Sequence, residues 1–399
     1  MGVLAPERSP AERRLAMAAA IDATRAMHYV GLDVHARRSS LCILDAAGKA
    51  VKRMEVRGGW PALLERVERD VPRPFSVCFE ASCGYGYLHG RLSRLAHSVA
   101  VAHPGQLRLI FKSKKKCDRV DAAKIAKLLY LDAVPRAHVP SADVRAWRGL
   151  IEYRQRLVGR RVAVKNQARA LLRSLGVEAR AGKALWSNKG VAWLKAVPLE
   201  AADDALRRDL LAEELSGLTE KIKRVEKELK GRADAHPGVT LLMTIPGVGV
   251  RTAEAFVAYV DDVGRFTRNK KVASYLGLVP CQDASAGRDR LGHITRDGPG
   301  TVRKVLCEAA WQGVRRSPSL KALFERVAGG KPDRRKIALV ATARHLAVAM
   351  AAMLRTGEAW REQSREQSRA RARQRTAGVG GRPAAGGGGL SPPEDTGAL

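Results

Sequence analysis

The stretch HYVGLDVHARRSSLCILDAAGKAVKRMEV, residues 28–56, constrains the fold most strongly because it contains three short strand-like segments in succession. The turn signals HARR and DAAGK separate the segments, and three such strands form an antiparallel meander most simply. Further along, FSVCFEAS predicts a buried strand that ends at Glu80, GYLHGRLSRLA a helix and HSVAVAH another strand. Residues 28–140 are therefore predicted to form an α/β domain.

Residues 141–235 have the apolar spacing of long helices whose other faces are filled by Arg and Lys. One apolar series alternates steps of four and three residues, the spacing of a coiled-coil seam: Leu211, Leu215, Leu218, Ile222, Val225 and Leu229. Such a seam can pair with another subunit, or it can close a helical hairpin within one chain. Both interpretations of this central coiled-coil region remain open.

Residues 236–360 are predicted to form a mostly α-helical C-terminal domain. TIPGVGVRTAEAFVAYV places a turn with Gly247 and Gly249 between two helical patterns. This resembles a helix-hairpin-helix, whose turn amides can hold a phosphate, although a plain connection between helices is the alternative. The apolar run 337–354 is interrupted by Arg344 and His345, which favours a buried helix over a membrane span.

The two ends of the chain differ in composition from the rest. Residues 1–27 are predicted to be a charged leader, partly helical. Residues 361–399 are rich in Gly, Ala and Arg and are predicted to be a disordered, low-complexity tail.

The chain carries a large excess of positive charge. Its 399 residues include 72 Lys and Arg against 40 Asp and Glu, a net charge of +32, which favours a nucleic-acid partner. One basic run supplies candidate contacts to a nucleic-acid backbone, namely Lys112, Lys114, Lys115 and Lys116. The six cysteines contain no C-x-x-C pair, which argues against a zinc site or a disulfide framework and fits a reducing, intracellular setting.

Four acidic residues form the first candidate site. Asp33 and Glu80 end predicted strands, and Asp118 and Asp121 open a predicted helix three positions apart, on one face. Taken singly, each acid is more typical of a helix cap or a salt-bridge partner. Together they favour divalent cations with oxygen ligands, above all Mg²⁺ with Mn²⁺ as a substitute, beside a phosphodiester.

The second candidate site is Ser285, in the segment YLGLVPCQDASAGRDRLGHITRDGPGTVRKVL, which the sequence predicts to be a Gly-rich, basic loop. Small neighbours on both sides would let its hydroxyl approach a large substrate. Basic residues nearby could neutralise a phosphate: Arg288, Arg290, Arg296, Arg303 and Lys304. Alone, a loop serine is more often a turn residue.

Several motifs resemble the IS110 family of transposases. YVGLDVHA, FEASCGYG and KCDRVDAAKIAKLL are similar to its DEDD, RuvC-like domain. TIPGVGVRTA, FTRNKKVASYLGLVP and ASAGRDRLGHITRDGPGTVRKVLCEAAW are similar to its C-terminal transposase domain. The resemblance spans about residues 28–355. It implies a RuvC-like RNase H fold, a central coiled coil and a small helical C-terminal domain.

The resemblance also implies roles. Asp33, Glu80, Asp118 and Asp121 match the metal-binding tetrad, and Ser285 matches the serine that links covalently to DNA. It implies a bacterial cytoplasmic recombinase, acting at the nucleoid as a dimer or tetramer, that a structured bridge RNA from its own element guides to donor and target DNA. Two alternatives stay open: a junction nuclease that uses the acids with water, and an inactive nucleic-acid-binding relative.

Overall fold

The computed structural model describes residues 27–82, 84–111, 118–178, 182, 184–285 and 288–362, and for residues 118–120, 283–285 and 288–291 it describes the backbone alone. The predicted leader up to residue 26, the lysine run 112–116 and the tail beyond residue 362 lie outside the described residues. The chain divides into two compact units, with the division after Arg145.

The first unit is built on a mixed sheet of five strands: β1 (His28–Val34), β2 (Arg38–Leu44), β3 (Ala50–Arg57), β4 (Phe75–Glu80) and β5 (Ser98–Ala102). The strand order is β3-β2-β1-β4-β5. The first three strands form the predicted antiparallel meander, while β4 pairs parallel with β1 and β5 pairs parallel with β4. This mixed sheet with its helices agrees with the predicted RNase H-like α/β class.

Helices cover both faces of this sheet: α1 (Trp60–Asp70), α2 (Tyr85–Leu92), α3 (Pro104–Ile110) and α4 (Asp118–Tyr130). On one face, Val30 and Leu32 of β1 are buried with Leu63 of α1 and Leu88 of α2. On the other face, Cys78 of β4 is buried with side chains of α4. The alternation of side chains along each strand therefore decides which residues face α4.

Two helices of 33 residues each follow, α5 (Ala142–Ser174), whose first four residues precede the division between the units, and α7 (Ala202–Asp234). A short 3₁₀ turn (Ala184–Trp186) and α6 (Asn188–Ala196) lie between them in the chain. Leu215, Leu218 and Ile222 of α7 are buried against Leu157 and Val164 of α5. The coiled-coil series of α7 thus packs within the chain, as in the hairpin interpretation, because α5 supplies the matching apolar face.

The rest of the second unit consists of α8 (Pro237–Leu242), α9 (Val250–Val260), α10 (Asn269–Tyr275), β6 (Pro280–Ser285), β7 (Arg288–Ile294), α11 (Gly300–Arg316), α12 (Pro318–Ala328) and α13 (Arg335–Thr356). The turn between α8 and α9 lies where the sequence predicted it. The segment predicted as a loop contains a hairpin instead, since β6 and β7 pair antiparallel. The loop prediction was therefore wrong for residues 280–285 and 288–294. The glycines on which it rested lie mostly outside these two strands.

A long apolar helix lies in the core of the second unit. By length and composition alone, Pro332–Thr356 could cross a membrane. Leu346, Ala347 and Met350 of this segment are fully buried, in one cluster with Phe256 of α9 and Leu306 of α11. This packing supports the prediction of a buried helix.

Candidate active site

Two of the predicted acids lie at the same edge of the sheet. Leu32 of β1 pairs with Phe79 of the parallel strand β4, so the next residues along, Asp33 and Glu80, lie side by side at the carboxyl ends of the two strands. Since Leu32 and Phe79 point into the cluster under α1 and α2, alternation turns both acids toward the opposite face, on which α4 packs.

Helix α4 runs antiparallel to β1 on that face. Near its C-terminal end, the ring of Tyr130 contacts Tyr29 edge-on, with centroids 5.3 Å apart. Near its middle, Gly31 comes so close that an added Cβ would lie 2.1 Å from the carbonyl oxygen of Ala122. The N-terminal turn, which carries Asp118 and Asp121, therefore approaches the end of β1 where Asp33 lies. The N-terminal turn of this helix is thus directed toward the sheet edge that carries Asp33 and Glu80.

Two of the described carboxylates at this edge, those of Asp33 and Asp121, have basic neighbours. Asp33 Oδ2 lies 3.4 Å from Nε2 of His35, and Asp121 Oδ1 accepts a hydrogen bond of 3.2 Å from Lys124 Nζ. Asp33 and Asp121 remain accessible, with 18% and 34% of their side chains exposed. The Asp118 side chain lies outside the described part, and among the described side chains no three His, Cys, Asp or Glu group closely enough to hold a metal ion.

The donor set nevertheless fits a hard divalent cation. Every member is a carboxylate, and Mg²⁺ and Mn²⁺ prefer such oxygen ligands. Nζ of Lys124, which is hydrogen-bonded to Asp121, also lies 5.1 Å from the ring centroid of Phe111. Asp33, Glu80 and Asp121, with Asp118 one helical turn before Asp121, are the residues that would hold the ion.

Ser285 lies in the second unit, at the end of β6. Its backbone is paired with Arg288, the first residue of β7, and Asp283 is paired with Arg290. The serine therefore stands where β6 leads into the short connection 286–287. The side chains of Ser285, Arg288 and Arg290 lie outside the described part of the chain, so their contacts stay a prediction.

Arg303, a predicted phosphate contact, forms hydrogen bonds to backbone carbonyl oxygens. Its Nη1 donates hydrogen bonds to the carbonyl oxygens of Leu276 (3.1 Å), Gly298 (3.2 Å) and Asp297. These bonds fasten the loop after β7 to the end of α10. Among the other predicted phosphate contacts, Arg296 and Lys304 are exposed to solvent.

The glycine turn between α8 and α9 borders a cleft of about 520 Å³. Gly247 has φ +96°, and a Cβ there would lie 2.4 Å from the backbone nitrogen of Gly313, so this glycine allows the turn to pack on α11. Gly249 precedes the first turn of α9, and a Cβ there would meet nothing within 4 Å. First-turn amides of a helix lack internal partners and attract anions. Gln312 and Arg316 line the cleft, as does the carboxylate of Glu308.

One charged residue near this turn was missed by the sequence reasoning. Glu254 of α9 has only 1% of its side chain exposed and accepts hydrogen bonds of 2.9 and 3.0 Å from Arg251. Burial raises the pKa of Glu254 to about 7, against the opposing effect of Arg251 and Arg154. The signal was present in the sequence, because Glu254 interrupts the apolar run of VRTAEAFVAYV.

Two family models match the chain. A model described as "Transposase IS116/IS110/IS902 family" matches residues 239–325, which include the glycine turn, Ser285 and α11. A second model, described as "Transposase" and built on the DEDD domain of IS110 elements, matches residues 30–176, which include all four acids. The two models thus cover the two candidate sites separately.

Curated relatives are similar over most of their own length. The chain is 30% identical over 253 residues to a "Probable family 20 transposase" of Pseudomonas aeruginosa, covering 62% of this chain and 74% of the relative. It is 28% identical over 315 residues to the "Transposase for insertion sequence element IS1111A" of Coxiella burnetii, covering 74% and 83%. It is 26% identical over 243 residues to the "Transposase for insertion sequence element IS1328" of Yersinia enterocolitica, covering 59% and 70%.

Proposed function

Because the chain belongs to the IS116/IS110/IS902 family of insertion-sequence transposases, we propose that it recombines DNA through a covalent link between Ser285 and a DNA phosphate. A structured RNA from its own element would select the donor and target DNA by base pairing. The protein would then contact mainly duplex shape and phosphates. The net charge of +32 and an aromatic content of only 5% fit that division of labour.

The placement of the acid-bearing elements supports the proposal. Asp33 and Glu80 lie at one sheet edge, and the close approach of Gly31 to α4 brings the turn with Asp118 and Asp121 to the same edge. These four residues would hold Mg²⁺ or Mn²⁺, which when bound supplies positive charge to the scissile phosphate. A bound cation would also offset the repulsion between these acidic side chains and the phosphate.

The covalent step is a balanced exchange of phosphorus–oxygen bonds. Oγ of Ser285 forms a bond to phosphorus as the bond to the 3′ oxygen breaks, and the hydroxyl proton passes through solvent to that oxygen. The products are a phosphoserine link and a free 3′ hydroxyl. Attack by a 3′ hydroxyl on the phosphoserine, after strand exchange, rejoins DNA and releases the serine.

Basic groups around the serine would stabilise the charge that develops on the phosphate. Arg296 and Lys304 are exposed near the hairpin in sequence, and Arg288 and Arg290 belong to its second strand. Arg303 contributes indirectly, because its hydrogen bonds hold the loop that follows the hairpin.

Two further regions would contact DNA phosphates. The lysine run before α4 would bind the DNA backbone beside the acids: Lys112, Lys114, Lys115 and Lys116. At the glycine turn, amides after Gly249 and the side chain of Arg316 would hold a further phosphate.

A covalent adduct tests this proposal directly. A reaction with a nicked suicide substrate carrying the ends of the element should trap a protein–DNA adduct that survives denaturant. Mass spectrometry should place the phosphate remnant on the peptide that spans residues 284–287. Ser285→Ala should lose both the adduct and the recombinant product, because a methyl group cannot attack phosphorus.

Ser274 provides the matched control. It is an exposed serine of α10 in the same unit, so Ser274→Ala should keep the adduct and change the rate by less than about twofold. If Ser285→Ala cleaves DNA at the wild-type rate, water is the nucleophile and the protein acts as a junction nuclease. An adduct on another residue would keep the covalent mechanism and refute Ser285 as its nucleophile.

A further inference from the structure

Two basic side chains of α5, Lys165 and Arg169, pack over the ring of Trp186. None of these residues belongs to either candidate site. Nζ of Lys165 lies 5.2 Å from the ring centroid of Trp186, and the guanidinium carbon of Arg169 lies 5.1 Å from it. The two residues are four positions apart, on one face of the helix. Both charged groups are thus held over the same ring.

The ring that carries them is fixed in place. Trp186 belongs to the 3₁₀ turn before α6 and is partly buried, packed against two apolar clusters that α5 and α7 share. In addition, Nη2 of Arg169 donates a hydrogen bond of 2.9 Å to the carbonyl oxygen of Gly182. The two cations therefore lose little conformational entropy when an anion binds them.

The charges around this pair are unbalanced. Arg161 lies one helical turn before Lys165, so three cations follow each other along α5. Within the described residues, none of the three forms an ion pair, whereas Arg154 and Arg160 of the same helix pair with Glu226 and Glu214. Burial, with Arg161 and Arg169 nearby, lowers the pKa of Lys165. An anion bound there would relieve this repulsion.

We propose that Lys165 and Arg169, positioned by Trp186, bind the phosphate backbone of duplex DNA. The backbone positions of the two residues lie about 6 Å apart along the helix axis, so their flexible side chains can reach neighbouring phosphates of one strand. The cations cover the tryptophan ring, so the site offers no free face for stacking an unpaired base. Duplex DNA is the favoured polyanion because transposases of this family act on DNA.

The double variant Lys165→Gln/Arg169→Gln tests the site. Glutamine keeps much of the aliphatic length over Trp186, so the fold should survive, and thermal unfolding checks this. Binding of the full chain to a 30-base-pair duplex of arbitrary sequence is measured between about 50 and 300 mM salt. Loss of two phosphate contacts should weaken binding roughly tenfold and lower the slope of log K against log salt by about 1.8.

The control removes two cations from the other long helix of the same hairpin. Lys223 and Lys230 on α7 are exposed and paired with Glu220 and Asp234, so Lys223→Gln/Lys230→Gln makes the same change in net charge. For this control, the slope of log K against log salt should stay within about 0.4 of the wild-type slope. Equal effects of the two double variants would refute a localised site and indicate a response to net charge alone.

Two further results would overturn the assignment. A slope for Lys165→Gln/Arg169→Gln equal to that of the wild type means that the pair does not contact DNA. A loss confined to binding of structured RNA, with duplex DNA unaffected, means that the polyanion is RNA. The Ser285 adduct, assayed separately, distinguishes this failure from failure of the recombination mechanism, since Ser285 chemistry does not require this pair.

Discussion

At the scale of single residues, the acids at the sheet edge are expected to control divalent-dependent strand cleavage. Asp33→Asn or Asp121→Asn should abolish divalent-dependent strand cleavage, at least a thousandfold, because the amide removes the anionic charge that holds the cation. Cleavage of labelled DNA, with and without Mg²⁺ or Mn²⁺, measures this. Duplex binding in the same variants should fall by less than about threefold, since the basic contacts lie on other residues.

Asp132 is the matched control for that experiment. It is an exposed aspartate just after α4, paired only on the surface with Arg136, and its φ of +47° suits asparagine as well. Asp132→Asn should therefore cleave normally. Wild-type cleavage in excess chelator would contradict the metal-site interpretation, whatever the variants do.

How far the sequence predicted the residues depended on how local their signals were. Asp33 and Glu80 could be found because strand ends are visible in the apolar pattern, and carboxyl ends of parallel strands share an edge. The three carbonyl partners of Arg303 could not be predicted, because they come from a loop fold that sequence spacing does not reveal. Trp186 could not be assigned, since its contacts with Lys165 and Arg169 depend on how α5 meets the 3₁₀ turn.

At the scale of elements, the docking of α4 on β1 depends on Gly31. In Gly31→Ala the new Cβ would lie 2.1 Å from the oxygen of Ala122 and 2.4 Å from the nitrogen of Ala126, so the helix backbone must move. We expect a loss of about 3 kcal/mol in the stability of the first unit. Hydrogen exchange of the amides of residues 122–130 should speed up, and metal-dependent cleavage should fall with it.

Gly90→Ala separates this effect from a general response to added side chains. Gly90 is an exposed residue within α2, and nothing lies within 4 Å of a Cβ built there. The substitution should stabilise the protein by about 0.5–1 kcal/mol, because alanine favours the helix. If the amide hydrogen exchange of α4 in Gly31→Ala equals that of the wild type, the packing of α4 on β1 does not depend on Gly31.

The elements themselves were predicted well where periodicity was regular. The meander, β4 and both long helices follow their apolar patterns. The hairpin β6–β7 was missed because DASAGRDRLGH has no β-branched residue, so its strand signal is weak. The series from Leu211 to Leu229 predicted a seam correctly but left its partner open, since heptad spacing does not distinguish α5 from another subunit.

At the scale of the whole molecule, the acids belong to the first unit and Ser285 to the second. We propose that one reacting site combines the acids of one subunit with the serine of another. Asp33→Asn and Ser285→Ala are each expected to be inactive. When the two variants are co-expressed and assemble together, a mixed dimer has one site with intact acids and an intact serine, provided that the site is shared between subunits.

We therefore expect the co-expressed pair to recover about a quarter of the wild-type adduct, because half of randomly mixed dimers would each contain one intact site out of two. The adduct should form only on the Asp33→Asn chain, which keeps Ser285, and a size tag on that chain identifies it by gel mobility. Co-expressing Asp33→Asn with Asp121→Asn is the control. Both substitutions remove an acid, so no arrangement of subunits restores a complete set in one chain, and no adduct should appear. Absence of adduct from the Asp33→Asn and Ser285→Ala mixture, with mixed dimers verified by pull-down of the tag, would mean that acids and serine act within one subunit.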